Sequence, residues 1–200
     1  MQSIKPQEIF SSPKILIFKK IINKKIANEI IKEFSTKITP SLTTDGNKIK
    51  RSEFRTSSST IIKKESKKLF NLREKTCSLL DWNIKESERF QFIEYDKGQE
   101  YVPHYDAFDF EQIRSSQSKV TTQRMITNLI YLNENFSGGE TLFPKLNISI
   151  KAELGMMLSF ENCINNTDFL NPFTIHQSSP IKQGKKYVLV SWLVRELSNT

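Results

Sequence analysis

Apolar residues recur along this chain in two rhythms, and the change between them divides it. Lys14 to Phe18 is a short apolar run after Pro13 and predicts a strand. From Asn23 the period lengthens. Ile26, Ile30 and Phe34 fall at i, i+4 and i+8 with Ala27 and Ile31 beside them, and Lys and Glu take the opposite side. That spacing predicts an amphipathic helix capped by Asn23, whose side chain can accept from an orphan N–H of the first turn. A second helix is predicted over residues 61–80, where Leu69, Leu72, Thr76 and Leu79 share a side. Between the helices, residues 37–60 hold Pro40, Gly46 and many Ser and Thr, which predicts a loop with a strand near Arg55 to Thr60.

After Trp82 the rhythm shortens. Arg89 to Tyr95 alternates and ends in the turn Asp96-Lys97-Gly98. Further strands are predicted at residues 126–133, 141–143 (before Pro144), 148–150, 156–160 and 187–194, with turns at Ser137-Gly138-Gly139 and Gly155. Gly138 and Gly139 are read as turn residues, supplying dihedrals that a Cβ resists. Many short strands punctuated by Gly and Pro argue an all-β sandwich or jelly roll. The expected class is mainly β with N-terminal helices (α+β). Residues 1–85 form a helix-and-strand support and residues 86–200 the β core, in one compact unit.

The bulk composition alters this reading little. Of 200 residues, 37% are hydrophobic and 26% charged, which is enough apolar material for a core and speaks against global disorder. No apolar run approaches the roughly 20 residues that span a bilayer. Residues 1–12 contain no apolar signal-peptide region. The expectation is a soluble, cytoplasmic protein with no membrane partner. Cys77 and Cys163 are too few for a zinc site and are read as packing residues. The net charge of +8 admits a nucleic-acid or acidic partner. The lysines (Lys19, Lys20, Lys24, Lys25, Lys63, Lys64, Lys67 and Lys68) are spread, however, and much of this charge reads as the solvated faces of helices.

Chemistry enters with the histidines. There are two, His104 and His176. His104 stands in His104-Tyr105-Asp106, and on a strand residues i and i+2 share a face. An imidazole and a carboxylate there, with a second imidazole from elsewhere, would make the 2-His-1-carboxylate triad of non-haem Fe(II) oxygenases. Such a tripeptide alone is common, and a single histidine is more often structural. Ten residues after His176 comes Lys186, beyond a turn at Gly184, and Val188, Val190 and Trp192 share its face. A strand-borne Lys at the end of an apolar wall suits a cation holding a ligand carboxylate in a dry pocket. Lys185 faces the other way and reads as a surface residue.

Three stretches carry a resemblance. The first runs Gln91-Phe92-Ile93-Glu94-Tyr95-Asp96-Lys97-Gly98-Gln99-Glu100-Tyr101-Val102-Pro103-His104-Tyr105-Asp106. The second runs Arg124 to Asn133, then Gly138-Gly139-Glu140-Thr141-Leu142-Phe143-Pro144. The third has His176 with Pro180, Gly184, Lys186 and Trp192 at +4, +8, +10 and +16; Gly155 and Phe160 fit the piece between the second and third. Together they resemble the catalytic domain of prolyl 4-hydroxylases, and weaker similarity extends to residues 23–34 and to Arg55-Thr56-Ser57. The resemblance implies a double-stranded β-helix core, with His104, Asp106 and His176 on iron and Lys186 on the 2-oxoglutarate carboxylate. It places Tyr95 and Tyr131 beside the co-substrate. Thr127 shares a strand face with Leu129 and Tyr131 and is grouped with them, and Trp192 is taken as pocket wall. Arg124 and Tyr101 are candidate substrate contacts, with a surface charge the alternative for Arg124.

The activity so implied is hydroxylation of peptidyl proline by Fe(II), 2-oxoglutarate and O2, yielding succinate and CO2, with ascorbate as a candidate reductant. Bacterial or viral origin fits a cytoplasmic enzyme. Alternatives are the same chemistry on a nucleic acid, free amino acid or small metabolite, or a jelly-roll binding module without catalysis. Two polar segments, residues 41–58 and 109–123, are candidate lids over a peptide.

Overall fold

The computed structural model of the chain describes residues 4–45, 48–51, 55–109, 120–165 and 167–197. The first part contains β1 (Gln7–Ser11), β2 (Lys14–Phe18), α1 (Lys24–Phe34), β3 (Thr39–Pro40), β4 (Leu42–Asp45), β5 (Lys48–Arg51), β6 (Ser58–Ile61) and α2 (Lys67–Ser78). Then come β7 (Gln91–Tyr95), β8 (Tyr101–His104), β9 (Thr122–Tyr131), β10 (Ser137–Gly138), β11 (Thr141–Phe143) and β12 (Ile148–Ile150). The last four are β13 (Met157–Glu161), β14 (His176–Ser178), β15 (Ile181–Gln183) and β16 (Lys186–Glu196).

These strands make an eight-stranded antiparallel sheet in the order β1-β2-β13-β9-β16-β7-β6-β3, and a four-stranded sheet β12-β11-β14-β8. The large sheet is buried on both faces, and strand alternation sorts its side chains. One face carries Phe92, Ile130, Met157 and Leu189, which pack with Ala27, Ile30 and Phe34 of α1 and Leu69 and Leu72 of α2. The other face sends Tyr131, Leu158, Phe160 and Val188 against Phe143 and Ile150 of the small sheet. Each large side chain so buried contributes about 1.5–3 kcal/mol. Two antiparallel sheets enclosing a core, with helices backing the larger one, is the jelly-roll arrangement expected.

The α1 helix begins as read, with the Asn23 side chain accepting from Ile26 N at 3.0 Å. Elsewhere the elements differ from expectation for identifiable reasons. The second helix starts at Lys67, capped by Ser66, because residues up to Ile61 belong to β6. Residues 37–60 are not simply loop: they hold β3, the hairpin of β4 with β5, and part of β6. The Ser-rich composition misleads because those hydroxyls satisfy one another. Ser41, Ser57 and Ser59 are buried, with Ser41 Oγ 3.0 Å from Ser57 Oγ and donating to Ser59 Oγ at 2.8 Å. The sequence analysis predicts no strand at β1, because Ile9 and Phe10 stand side by side between exposed polar residues and show no two-residue alternation. Of the candidate lids, residues 110–119, 46–47 and 52–54 lie outside the described residues, and Thr122 and Gln123 belong to β9. Among the described residues no helix is long and apolar enough to cross a membrane.

Candidate metal and co-substrate site

A cavity of about 690 Å³ opens between the two sheets. Its large-sheet wall is Ile93 and Tyr95 of β7, Leu129 and Tyr131 of β9, and Lys186, Val188, Val190 and Trp192 of β16. The last four follow the alternation read from sequence. The small sheet contributes His104, Thr141, His176 and Ser178.

The two histidines come from neighbouring strands and stand directly opposite each other in the β8–β14 pairing, with ring centroids 4.3 Å apart. Register breaks between His176 and Ser178, next to the site. Asp106 lies two residues past the end of β8, so the same-strand, same-face premise fails. The carboxylate nevertheless reaches both rings, with Oδ1 3.8 Å from His104 Nε2 and Oδ2 3.6 Å from His176 Nε2. One ligand atom from each residue falls within 4.8 Å of the others.

The backbone decides which ring nitrogens are free. His104 Nδ1 lies 2.8 Å from Val102 O, and His176 Nδ1 lies 3.0 Å from Thr174 O. A carbonyl only accepts, so both Nδ1 atoms carry hydrogen, and each Nε2 presents its lone pair toward the cluster. Burial and the neighbouring His176 hold the His104 pKa well below the usual range, keeping that ring neutral. Burial alone would raise the Asp106 pKa, but its positively polarised surroundings, Arg124 among them, outweigh it and hold it below the usual carboxylate range. Two imidazole nitrogens and one carboxylate suit a divalent first-row metal such as Fe(II), and three ligands on one side leave positions for exogenous ligands.

Deeper in the cavity is Lys186, 2% exposed. Its Nζ donates to Gly139 O at 2.7 Å and Ser178 Oγ at 2.9 Å, and stands 5.2 and 5.6 Å from the ring centres of Tyr95 and Tyr131. Among the described residues no carboxylate lies within ion-pair distance of it. Burial pushes its pKa down to about 7, opposed only by Glu140. Lys185 points outward and pairs with Glu94 at 2.7 Å and Asp96 at 3.1 Å, as its surface reading required. Burial raises the Tyr95 and Tyr131 pKa values, and Tyr131 Oη shares a 2.7 Å hydrogen bond with Thr141 Oγ1. A buried ammonium flanked by neutral hydroxyls fits the carboxylate of a bound acid.

At the mouth, Tyr101 stacks on His104 with centroids 3.4 Å apart and 14° between planes, and Arg55 sits 5.0 Å above Tyr101. Arg124 is 3.6 Å from the Trp192 ring centre and donates to both Glu88 oxygens at 2.8 and 3.1 Å. It lines the cavity rather than the outer surface, although its guanidinium is already engaged. Thr127 does not line the cavity. Its hydroxyl donates to Asp106 Oδ2 at 2.7 Å.

Sequence reasoning assigned no role to Ser178, Thr141, Glu88 or Asn162, and named Arg55 only within a weak similarity. Ser178 was accessible to the i+2 rule from His176, and Thr141 stood in a quoted motif. Nothing distinguished Glu88 from a surface acid.

Comparisons with known proteins agree with this geometry. The profile of the 2OG-Fe(II) oxygenase superfamily matches residues 90–194, just over half the chain. A prolyl 4-hydroxylase homologue of Acanthamoeba polyphaga mimivirus is 32% identical over 120 residues, 60% of this chain and 50% of that protein. Prolyl 4-hydroxylase 2 of Arabidopsis thaliana is 28% identical over 171 residues, covering 74% of this chain and 56% of the plant protein. The chain therefore spans about half the length of these curated relatives. Among solved structures, the viral collagen prolyl hydroxylase of Paramecium bursaria Chlorella virus-1 in its 2OG complex superposes with a TM-score of 0.72 at 23% identity, over 92% of this chain and 96% of that one. A Pseudomonas putida prolyl-4-hydroxylase gives 0.61 at 16%, over 91% and 92%. At such identities these two structures establish the shared fold.

Proposed function

We propose, for a chain that belongs to the 2OG-Fe(II) oxygenase superfamily, that it hydroxylates proline in a peptide while converting 2-oxoglutarate and O2 to succinate and CO2. The carrying observation is the pairing, in one cavity, of a three-ligand metal cluster with a buried lysine that has no acidic partner among the described residues. His104, Asp106 and His176 would hold Fe(II), which supplies the oxygen activation that no side chain can.

The chain's own residues do the rest. The Val102 and Thr174 carbonyls fix the two imidazoles. Lys186 and Ser178 anchor the distal carboxylate of 2-oxoglutarate, beside Tyr95 and Tyr131. Leu129, Val188 and Val190 keep water from its length. Tyr101, Trp192 and Arg124 border the mouth, where the peptide would lie. Residues 1–85 serve as the support of the catalytic core. Ascorbate is the proposed external reductant. The prolyl substrate is favoured by the names of the relatives, and a bacterial or viral origin by the sources of the structural neighbours.

The test is succinate release from 2-oxoglutarate with Fe(II) in air, with and without a proline-rich peptide, followed by mass spectrometry of the peptide. Peptide-stimulated release with one oxygen added at proline is the expected result. Release that ignores the peptide would overturn the substrate and direct the search to nucleic acids or small molecules. No release at all would overturn the catalytic reading and favour a binding module.

A further inference from the structure

Beyond the three ligands, the Asp106 carboxylate is tied into the large sheet through two residues with no cavity exposure. Thr127, fully buried in β9, donates its hydroxyl to Asp106 Oδ2 at 2.7 Å. Asn162 follows the end of β13 and is 1% exposed; its Nδ2 donates to Thr127 Oγ1 at 2.8 Å. The β9–β13 register, which pairs Thr127 with Phe160, sets Asn162 diagonally across from Thr127, and its own N–H is held by Met125 O at 2.8 Å.

The direction of this chain follows from donor counting. A threonine hydroxyl has one hydrogen and a carboxylate has none, so at 2.7 Å the hydrogen belongs to the Thr127–Asp106 contact. Thr127 Oγ1 can then only accept from Asn162, which must therefore present its NH2 group. The Asn162 Oδ1 is left buried without a partner among the described residues. A buried amide with one end unpaired is less favourable than an apolar side chain of the same shape. Its compensating contribution is the donation to Thr127.

We infer that Asn162 is a positioning residue for the metal-ligating carboxylate: through Thr127 it holds Asp106 Oδ2, so that one of the two carboxylate oxygens is already engaged in a hydrogen bond. The consequence is chemical. A carboxylate free to offer both oxygens would occupy a further coordination position, one that the co-substrates need. This inference rests on reading His104, Asp106 and His176 as metal ligands, and it assigns Thr127 to the carboxylate in place of the co-substrate.

The test is a metal titration of the metal-free protein, using Co(II) without oxygen and reading both affinity and the visible ligand-field bands. Thr127→Val and Asn162→Leu should each weaken binding by about 10- to 100-fold, the range for losing an outer partner of a metal ligand. Both should alter the Co(II) bands in the same way, and Thr127→Ser should restore affinity and spectrum. Because Asn162 acts through Thr127, Asn162→Leu should add nothing in the Thr127→Val background. Melting of the metal-free variants controls for folding, and Asn162→Ala replaces the leucine variant if the latter is unstable. Unchanged affinity and bands in the Asn162 variants, or equal losses in both backgrounds, would overturn the relay. A wild-type protein that takes up neither Co(II) nor Fe(II) would instead overturn the metal reading beneath it.

Discussion

Replacing Lys186 with methionine separates the lysine's role in binding from any role in folding. Methionine keeps the length and removes the charge. In the ligand-free protein, the ammonium is buried and, among the described residues, donates to a carbonyl and a hydroxyl. Both can turn to water in a cavity of about 690 Å³, so the variant should melt within a few degrees of wild type. Binding is another matter. A hydrogen bond to a charged group contributes about 1.5–3 kcal/mol, so the dissociation constant for 2-oxoglutarate should rise about 10- to 160-fold.

The pH dependence supplies a second axis. The folded, ligand-free pKa is lowered to about 7 from 10.5. Above about 7 the lysine has lost its proton, and binding a carboxylate must restore it. Wild-type affinity should therefore fall by up to about tenfold per pH unit above that point, and the methionine variant should lose this dependence. For stability the sign is opposite. Between about 7 and 10.5 the unfolded chain holds a proton that the folded chain has released, so this group's contribution rises with pH across that window and is lost as pH falls toward 7. Calorimetric titration of 2-oxoglutarate into Mn(II)-loaded protein, at pH 6 to 9, reads the binding effect without turnover. A methionine variant with affinity within about threefold of wild type, or with the same pH slope, would refute the assignment.

Other predictions follow from single contacts. Asp106→Ala should abolish succinate release and metal uptake together, and turnover at the wild-type rate would remove Asp106 from the ligand set. Gly139 has φ +70°, and an added Cβ would run into Ile181 Cδ1 and press on Lys186 Cδ at 3.2 Å. Gly139→Ala should therefore raise the 2-oxoglutarate requirement, measured by the same calorimetry. Arg124→Leu should raise the KM for peptide with little effect on 2-oxoglutarate-only turnover; an unchanged peptide KM would return Arg124 to a structural role beside Glu88 and Trp192. Arg73, buried, donates to both Glu65 oxygens at 2.8 Å and to the Ile84 and Ser87 carbonyls at 3.0 and 3.1 Å. Arg73→Met leaves a buried carboxylate unpaired and should cost about 3–5 kcal/mol, a fall on the order of 10 °C in melting temperature.

What the sequence determined by itself was whatever depends on local periodicity and residue chemistry. A 3.6-residue period marked α1, and two-residue alternation placed Lys186, Val188, Val190 and Trp192 on one wall. The scarcity of histidine left little choice of imidazole. The tertiary structure decided what depends on partners distant in sequence. It set His176 opposite His104 across β8 and β14, and brought Asp106 to both rings from beyond the strand that was expected to carry it. It turned the Thr127 hydroxyl onto that carboxylate instead of into the cavity, and it buried three serines of an apparently loop-like stretch by hydrogen-bonding them to one another. It also committed Arg124 to Glu88 and Trp192. Alternation gives the face on which a side chain stands; which group it meets there is fixed by strand register and by the packing of one sheet against the other.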